Sequence, residues 1–197
     1  MKSTRAYQMT ARAEASARTA DAILDATMSL LLGKPAVDIT LADIAAGAGV
    51  TVQTVLRRFG GRDAVFGRAI ERFATEVLEQ RGSAVGKDLD DVIANLVAHY
   101  ERWGALMLKM LGEGAAAPAI ATALQSGRDY HRTWCREVFA GSLAVLPAGQ
   151  RARRLGQFVA ICDLRTWEIL HVDSGLNSAQ CRLALREMLK PLVTEGQ

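Results

Sequence analysis

The sequence has little proline, few aromatic residues and no long apolar run. Only four of its 197 residues are proline and 6% are aromatic, while alanine is abundant, so the composition favours helix over sheet. No apolar run reaches the roughly 18 residues needed to span a bilayer, and the basic, polar start lacks the apolar centre of a secretory signal. Half of the residues are hydrophobic, enough for a sizeable core. We therefore expect an all-helical, soluble protein of the cytoplasm with no membrane partner.

Cysteine is scarce as well. Cys135, Cys162 and Cys181 are 27 and 19 residues apart, a spacing that matches neither a Cys-x-x-Cys metal site nor a disulfide framework. Most such cysteines are small buried hydrophobic residues, whereas a redox sensor needs an exposed thiol of low pKa. We expect no metal and no cofactor, and the sequence leaves redox sensing open.

The net charge of +3 is concentrated at one end of the chain. Residues 1–62 contain eight Lys/Arg and five Asp/Glu, whereas residues 63–197 contain sixteen of each. A basic end on a neutral body predicts an anionic partner for that end, and nucleic acid is the obvious one.

Strong local signals predict two short helices in this basic part. Thr40 and Asp43 form a capping pair that predicts a helix starting at Leu41. Thr51 predicts a second helix that continues to Phe59, and the glycines between the two helices permit a tight turn. Two short helices joined in this way are typical of a helix-turn-helix.

A longer helix is predicted upstream, over about residues 13–32, where apolar residues lie at helical spacing and Gly33 and Pro35 end the pattern. The segment before it is predicted to be either a disordered tail or an arm that lies in a minor groove. Its basic residues are Lys2, Arg5 and Arg12.

The second short helix has two different faces. Its apolar face contains Val52, Val55, Leu56 and Phe59. Its polar face contains Gln53, Thr54, Arg57 and Arg58. Arginine pairs with guanine, glutamine pairs with adenine, and threonine or arginine binds phosphate, so this face predicts a recognition helix. A merely solvated polar face is the alternative.

The stretch ITLADIAAGAGVTVQTVLRRFGGRDAVF, residues 39–66, resembles the N-terminal domain of TetR-family transcriptional regulators. The matching positions are Ile39-Thr40, Ile44-Ala45, Gly49-Val50, Thr51, Phe59 and Arg62-Asp63. The specific resemblance covers about residues 14–75. It implies an all-α protein with a three-helix DNA-binding domain, followed by a helical domain for ligand binding and dimerisation.

The resemblance also implies roles for single residues. It implies contacts with DNA for Thr51, Gln53, Thr54 and Arg57, and contacts with phosphate for Thr40 and Arg62. We also expect Val52 and Arg58 to contact DNA. Three departures from the family pattern are Leu56 in place of an aromatic residue, Arg57-Arg58 in place of a common His-Tyr pair, and Gly60-Gly61 in place of Lys-Ser or Pro-Ser. They imply that phosphate anchoring has moved to the two arginines.

We expect a DNA-binding domain over residues 1–62 and a helical body over residues 63–197, with a connecting helix over about 62–81. Further helices are predicted over about 89–111, interrupted at Gly104, and over about 118–139.

The last two predicted helices, over about 151–172 and 178–193, have broad apolar faces. The stripes of the first contain Leu155, Phe158, Val159, Cys162, Ile169 and Leu170, and Ile161, Leu164 and Trp167. The stripe of the second contains Cys181, Leu185, Met188, Leu189 and Leu192. The resemblance implies that these helices form a four-helix interface in a homodimer, and packing within one chain is the alternative. A homodimer also suits double-stranded DNA, because two recognition helices ~34 Å apart or somewhat more read a palindrome.

Aromatic and methionine residues of the body are candidates for an effector site. They are Tyr100, Trp103, Met107, Met110, Tyr130, Trp134 and Trp167, with His99 or His131 as polar groups. Such residues at helical spacing are more often plain core.

The expected function is a ligand-responsive repressor that a small apolar or aromatic effector releases from a palindromic operator. The alternatives are a constitutive DNA-binding protein, a helical protein-interaction module without ligand gating, and a helical enzyme. Enzyme motifs are lacking, since there is no His-x-x-x-His pair, no Gly-x-Ser-x-Gly, no P-loop and no dinucleotide fingerprint.

Overall fold

The computed structural model describes residues 3–113 and 118–193, and the regular structure in these ranges is entirely helical. The helices are α1 (Ser3–Gly33), α2 (Leu41–Gly47), α3 (Val52–Phe59), α4 (Arg62–Gly82), α5 (Leu89–Glu113), α6 (Pro118–Val138), α7 (Ala140–Ala144), α8 (Ala148–Ile161), α9 (Leu164–Trp167) and α10 (Ser178–Leu189). Two 3₁₀ turns (Ala36–Asp38 and Lys190–Leu192) and a π-helical segment (Glu168–Asp173) complete the set. The all-α prediction is confirmed. None of the described helices is both long and apolar enough to cross a membrane.

The backbone forms two compact units. The first consists of Met1–Phe73 and Glu113–Ala121, and the second consists of Ala74–Gly112 and Thr122–Gln197. Helix α4 therefore contributes its first part to one unit and its last turns to the other.

The first unit has a small apolar core provided by α1, the turn after it, α2, α3 and the start of α4. Its most deeply buried side chains include Ile23, Leu31, Ile39, Ile44, Val55 and Phe66. The predicted starts of α2 at Leu41 and of α3 after Thr51 are confirmed, because both capping threonines accept the expected backbone hydrogen bonds.

Helix α1 is longer than predicted. Its backbone is helical from Ser3, so residues 3–12 are not a disordered tail, while an arm that lies in a minor groove stays a prediction. Lys2 lies outside the described residues. The segment before Gly33 contains no glycine or proline and is rich in alanine, so nothing in its local chemistry stops the helix earlier.

The second unit has a larger core, in which the rings of Phe139 and Phe158 stack with their centroids 4.0 Å apart. The predicted continuous helix over 151–172 is wrong. Helix α8 ends at Ile161, and Asp163 has an extended backbone and caps α9 by accepting a hydrogen bond from the Arg165 amide at 2.9 Å. Aspartate favours such caps, and here the cap interrupts the apolar periodicity.

The apolar stripe of the last predicted helix belongs mainly to the core of its own chain. Cys181, Leu185 and Leu189 are fully buried there, while the helix itself spans only Ser178–Leu189. Three other aliphatic side chains in the two predicted interface segments are instead exposed, namely Ile169, Val172 and Leu183.

Candidate nucleic-acid interface

The start of α2 is fixed by a reciprocal capping box. The Thr40 amide donates to Asp43 Oδ2 at 2.7 Å, and the Asp43 amide donates to Thr40 Oγ1 at 3.1 Å. Lys34 Nζ lies 2.7 Å from the same carboxylate oxygen. The hydrogen bond from Lys34, followed by those from Thr40, holds the pKa of Asp43 well below its ordinary value. The carboxylate is therefore charged at neutral pH and secures the N-terminus of α2.

The turn between α2 and α3 depends on two glycines for different reasons. Gly49 has a φ of +65°, in the left-handed region that glycine adopts without strain. A Cβ on Gly47 would lie 3.2 Å from the Cβ of Ala26, so α1 and α2 approach each other closely at this point. The Val50 amide donates to the Ala45 carbonyl at 2.9 Å and closes the turn.

Helix α3 begins at a threonine cap and turns one side into the core. The Thr54 amide donates to Thr51 Oγ1 at 3.2 Å, and the two hydroxyl oxygens are 2.9 Å apart. Val55 is fully buried and anchors the helix, which ends at Gly60, where φ is +84°. The orientation of α3 is thus set by one apolar contact surface and two well-defined ends.

The opposite side of α3 is open to solvent. Gln53 and Arg57 are exposed, Thr54 is half-buried, and Val52, which the helical wheel placed on the apolar side, is 37% exposed at the first turn. Within the described part of the chain, Gln53 and Arg57 make no side-chain hydrogen bond or ion pair. These four residues, Val52, Gln53, Thr54 and Arg57, are called the α3 surface below.

Arg58 and Arg62 lie differently from Arg57. The Arg58 guanidinium donates to Ser16 Oγ of α1 at 2.8 Å. The Arg62 Nε donates to the Ile39 carbonyl at 2.7 Å, and a terminal nitrogen of the same group donates to the Ala36 carbonyl. Both groups therefore brace the fold, Arg58 against α1 and Arg62 against the turn before α2.

The seven aromatic and methionine residues predicted to line an effector site all lie in the second unit, and four of them are buried. Tyr100, Met110, Trp134 and Trp167 are buried, while Trp103, Met107 and Tyr130 are half-buried. The Tyr100 hydroxyl donates to the Cys162 carbonyl at 2.8 Å, and burial raises the pKa of this phenol. Trp167 borders an open cleft of about 660 Å³, whose other lining residues are Glu101, Ala105, Leu108, His171 and Val172. That the seven residues share one effector site stays a prediction.

A buried polar cluster in the second unit contains the predicted polar groups His99 and His131 together with Arg81, which was not predicted. Each of the three is at least nine-tenths buried. Arg81 continues the i+4 spacing of Phe73 and Val77, so its place on the inward side of α4 is visible in the sequence once the helix is drawn.

The three cysteines are free and buried. Interaction with the Cys162 thiol lowers the pKa of Cys135, but Cys135 is fully enclosed and so lacks the exposure that a redox sensor needs. In the ranges that the structure describes, no group of three or more His, Cys, Asp or Glu side chains is placed to hold a metal ion.

Comparison with known proteins adds two findings. Residues 23–69 match the family model described as bacterial regulatory proteins, tetR family. No curated protein matches the sequence.

The fold is similar to several solved structures of low sequence identity. A complex of SmeT with triclosan aligns with a TM-score of 0.70 at 18% identity, covering 90% of this chain and 93% of that chain. A transcriptional regulator from Rhodococcus sp. RHA1 aligns with a TM-score of 0.62 at 16% identity, covering 89% and 94%. The fatty acid degradation regulator FadR from Bacillus halodurans aligns with a TM-score of 0.56 at 14% identity, covering 90% and 96%. At these identities the structural matches show a shared fold over most of each chain.

Proposed function

We propose that this chain, whose residues 23–69 match the tetR family model, is a TetR-family homodimeric repressor that binds a palindromic operator and leaves it when a small ligand binds. Its family makes it a DNA-binding transcriptional regulator and not an enzyme. The operator, the dimer and the effector are the proposed parts. Because the partner is chromosomal DNA, we place the protein in the cytoplasm.

The observation that carries the proposal is the α3 surface. Gln53 and Arg57 project from the solvent side of a helix whose other side is anchored by Val55. Their polar groups make no internal bonds in the described part of the chain, so they are available to the edges of bases in a major groove. Arginine and glutamine are the residues that read guanine and adenine there.

The other residues predicted to contact DNA fall into two groups, according to whether their side chains already hydrogen-bond to other parts of the fold. Thr40, Thr51 and Thr54 are at or near helix N-termini, where hydroxyls and backbone amides suit phosphate. Val52 suits apolar contact with a thymine methyl group. Arg58 and Arg62 are bonded to Ser16 and to the turn before α2, so we assign them first to positioning α3 and only second to phosphate.

The homodimer is proposed because one short recognition helix reads few base pairs and a twofold pair reads a palindrome. The exposed Ile169, Val172 and Leu183 lie in the two segments predicted to form the interface, 151–172 and 178–193. Each is more than half exposed, which favours a partner surface over these segments.

A small-molecule effector is proposed from two features. The structurally similar SmeT is solved with triclosan, and the second unit of this chain contains the aromatic candidates for a ligand site. An effector acts only if it binds the DNA-incompetent state more tightly than the competent one. Native mass spectrometry of the purified protein tests for a co-purified small molecule, whose absence favours a constitutive regulator.

The proposal is tested by fluorescence anisotropy on DNA from upstream of the protein's own gene, against a scrambled duplex, at several salt concentrations. We expect a preference of ~10³-fold or more and an affinity that falls as salt rises. Arg57→Ala is expected to weaken specific binding by about 1–3 kcal/mol. The matched control is Arg68→Ala, which removes an exposed arginine paired with Glu71 in the same unit and is expected to leave binding unchanged.

Two outcomes contradict the proposal. If Arg57→Ala binds as tightly as the wild type, Arg57 is not part of the interface. If the wild type binds no duplex even at low salt, the regulator does not act through DNA, and the protein-interaction alternative gains support.

A further inference from the structure

Arg81 is a buried cation whose described side-chain contacts are two aromatic rings and an imidazole. The residue is 3% exposed, and its guanidinium carbon lies 3.9 Å from the ring centre of Trp134 and 5.9 Å from that of Tyr100. A terminal nitrogen lies 3.4 Å from His131 Nδ1, and Nε has no hydrogen-bond partner in the described structure. In the described part of the chain no carboxylate lies within ion-pair distance of Arg81.

Burying the charge of Arg81 in this way destabilises the folded protein when no ligand is bound. Arginine does not lose its proton in proteins, so burial does not neutralise it as it neutralises a lysine or a carboxylic acid. An uncompensated buried charge costs several kcal/mol, of which contacts with aromatic rings return only part. Asp163, the acid that approaches the cluster, caps α9 and lies 3.9 Å from His131 instead of pairing with Arg81.

His99 provides a second unsatisfied group, and its ring lies 5.0 Å from the ring of Tyr100, which Arg81 also approaches. It is 1% exposed, and neither ring nitrogen has a hydrogen-bond partner in the described structure. Native proteins rarely leave a buried imidazole without any hydrogen bond, so both nitrogens have the capacity to bond a polar group of a ligand. His131, in contrast, is satisfied, since Nε2 is 3.0 Å from the Val159 carbonyl when Nδ1 accepts from Arg81.

We propose that Arg81 and His99 bind the carboxylate of an apolar monocarboxylic acid, which is the effector of this regulator. The Arg81 guanidinium carries one positive charge and presents two parallel N–H donors that match the two oxygens of a carboxylate, and a His99 N–H adds a further donor. A ligand group with a single negative charge therefore fits this site better than a doubly charged phosphate. Trp134 and Tyr100 form the apolar surroundings of the guanidinium. This inference rests on the proposed function, and it refines the predicted apolar effector to one with an acidic head.

The test measures thermal unfolding of the full chain with benzoate as the probe and benzamide, its uncharged counterpart, as the control ligand. We expect benzoate at tens of millimolar to raise the Tm of the wild type by at least 2 °C more than benzamide or an equal concentration of sodium chloride. Arg81→Met is expected to lose this shift while its own Tm equals or exceeds that of the wild type, because the substitution removes an unpaired buried charge. Arg102→Met, the matched control, removes an exposed arginine that lies 4.3 Å from the Trp103 ring centre and keeps the shift.

Several outcomes overturn the inference. Equal shifts with benzoate and benzamide, no shift with either, or a benzoate shift that survives in Arg81→Met each exclude a carboxylate site at Arg81. Should Arg81→Met fail to fold, Arg81→Lys keeps the charge without the fork and is expected to bind benzoate at least fivefold more weakly by calorimetry. Wild-type affinity in that variant also excludes the site.

The two proposals fail separately in these measurements. DNA binding by anisotropy together with no benzoate shift overturns the carboxylate site alone. A benzoate shift that depends on Arg81, together with no DNA binding at low salt, overturns the DNA-binding proposal alone.

Discussion

Gly104 and Trp167 are in such close contact that no side chain fits between them. A Cβ on Gly104 would lie 2.6 Å from Cζ3 and 2.8 Å from Cη2 of the indole. Gly104 is in the interior of α5, where the sequence predicted an interruption, yet the helix is continuous from Leu89 to Glu113. The glycine allows the buried Trp167 ring to pack directly on the α5 backbone, and this contact explains its place in the sequence.

Gly104→Ala is therefore expected to destabilise the protein although alanine favours helix. The overpacking against Trp167 should lower the free energy of unfolding by about 1–3 kcal/mol, measured by urea denaturation. Gly127→Ala is the control, since Gly127 lies in α6 and a Cβ added there would meet no atom within 4 Å, and it should be neutral or stabilising by up to ~1 kcal/mol. Equal stabilities of the two variants would show that the indole moves away at little cost.

Arg62→Lys is expected to destabilise the DNA-binding unit. Lysine loses the fork that donates to the carbonyls of Ile39 and Ala36, and hydrogen bonds from a charged group contribute about 1.5–3 kcal/mol. The measurement is urea unfolding followed by circular dichroism. Arg57→Ala provides the contrast, with stability within about 0.5 kcal/mol of the wild type and weakened DNA binding. If Arg62→Lys is as stable as the wild type, Arg62 is free to serve as a phosphate contact.

The stability of the second unit should fall as the pH is lowered below about 6.5. Burial, then the charges of Arg81 and His131, lower the pKa of His99 to about 3, whereas the unfolded residue has a pKa near 6.5. The unfolded state thus binds a proton that the folded state does not, and stability is lost as the pH falls from about 6.5 toward 3. The slope should approach ~1.4 kcal/mol per pH unit near pH 5.

This pH dependence is measured from urea midpoints at pH 7.0 and 5.5 for the wild type and for His99→Gln. The variant lacks the titrating group, so its stability should change less over this interval. A wild-type midpoint that does not move between the two pH values would show that His99 is protonated in the folded protein.

Leu183→Asp is expected to weaken the proposed homodimer at least tenfold. Leu183 is 56% exposed on α10, and an aspartate there would bury a charge in an apolar interface. Sedimentation velocity at micromolar concentration distinguishes monomer from dimer. Val145→Asp is the control, because Val145 is 65% exposed but follows α7, outside the predicted interface segments. A dimer that persists in Leu183→Asp places the interface elsewhere, and a monomeric wild type excludes it at that concentration.

The DNA-binding motif was predictable because its signals are local. Thr40 bonds Asp43 three residues away, Thr51 bonds Thr54 three residues away, and Gly60 adopts its positive φ next to the helix it ends. Such interactions depend on spacing along the chain, so the sequence shows them directly. The exposed positions of Gln53 and Arg57 follow from the helical period once those ends are known.

The residues for which prediction failed are those whose environment comes from distant parts of the chain. The helical periodicity predicted a helix that continues past Cys162, but the structure has a helix cap at Asp163 that ends it there. The Cys162 carbonyl instead accepts a hydrogen bond from the Tyr100 hydroxyl, 62 residues away in sequence. The hydrogen bond from Arg58 to Ser16 likewise becomes visible only once α1 has packed against α3, and the DNA contact of Arg58 stays a prediction.

The sequence alone was thus enough to predict the helical class, the bounds of α2 and α3, and the side of α3 that faces solvent. These features are predictable because capping and helical periodicity act within a few residues along the chain. Three-dimensional packing was needed to show that Gly104 contacts the Trp167 indole and that Arg58 and Arg62 brace the fold. It was also needed to show that Arg81 and His99 are buried, with Arg81 Nε and both His99 nitrogens lacking hydrogen-bond partners in the described structure. Burial and pairing are properties of the space between elements, and that space exists only after distant segments have packed.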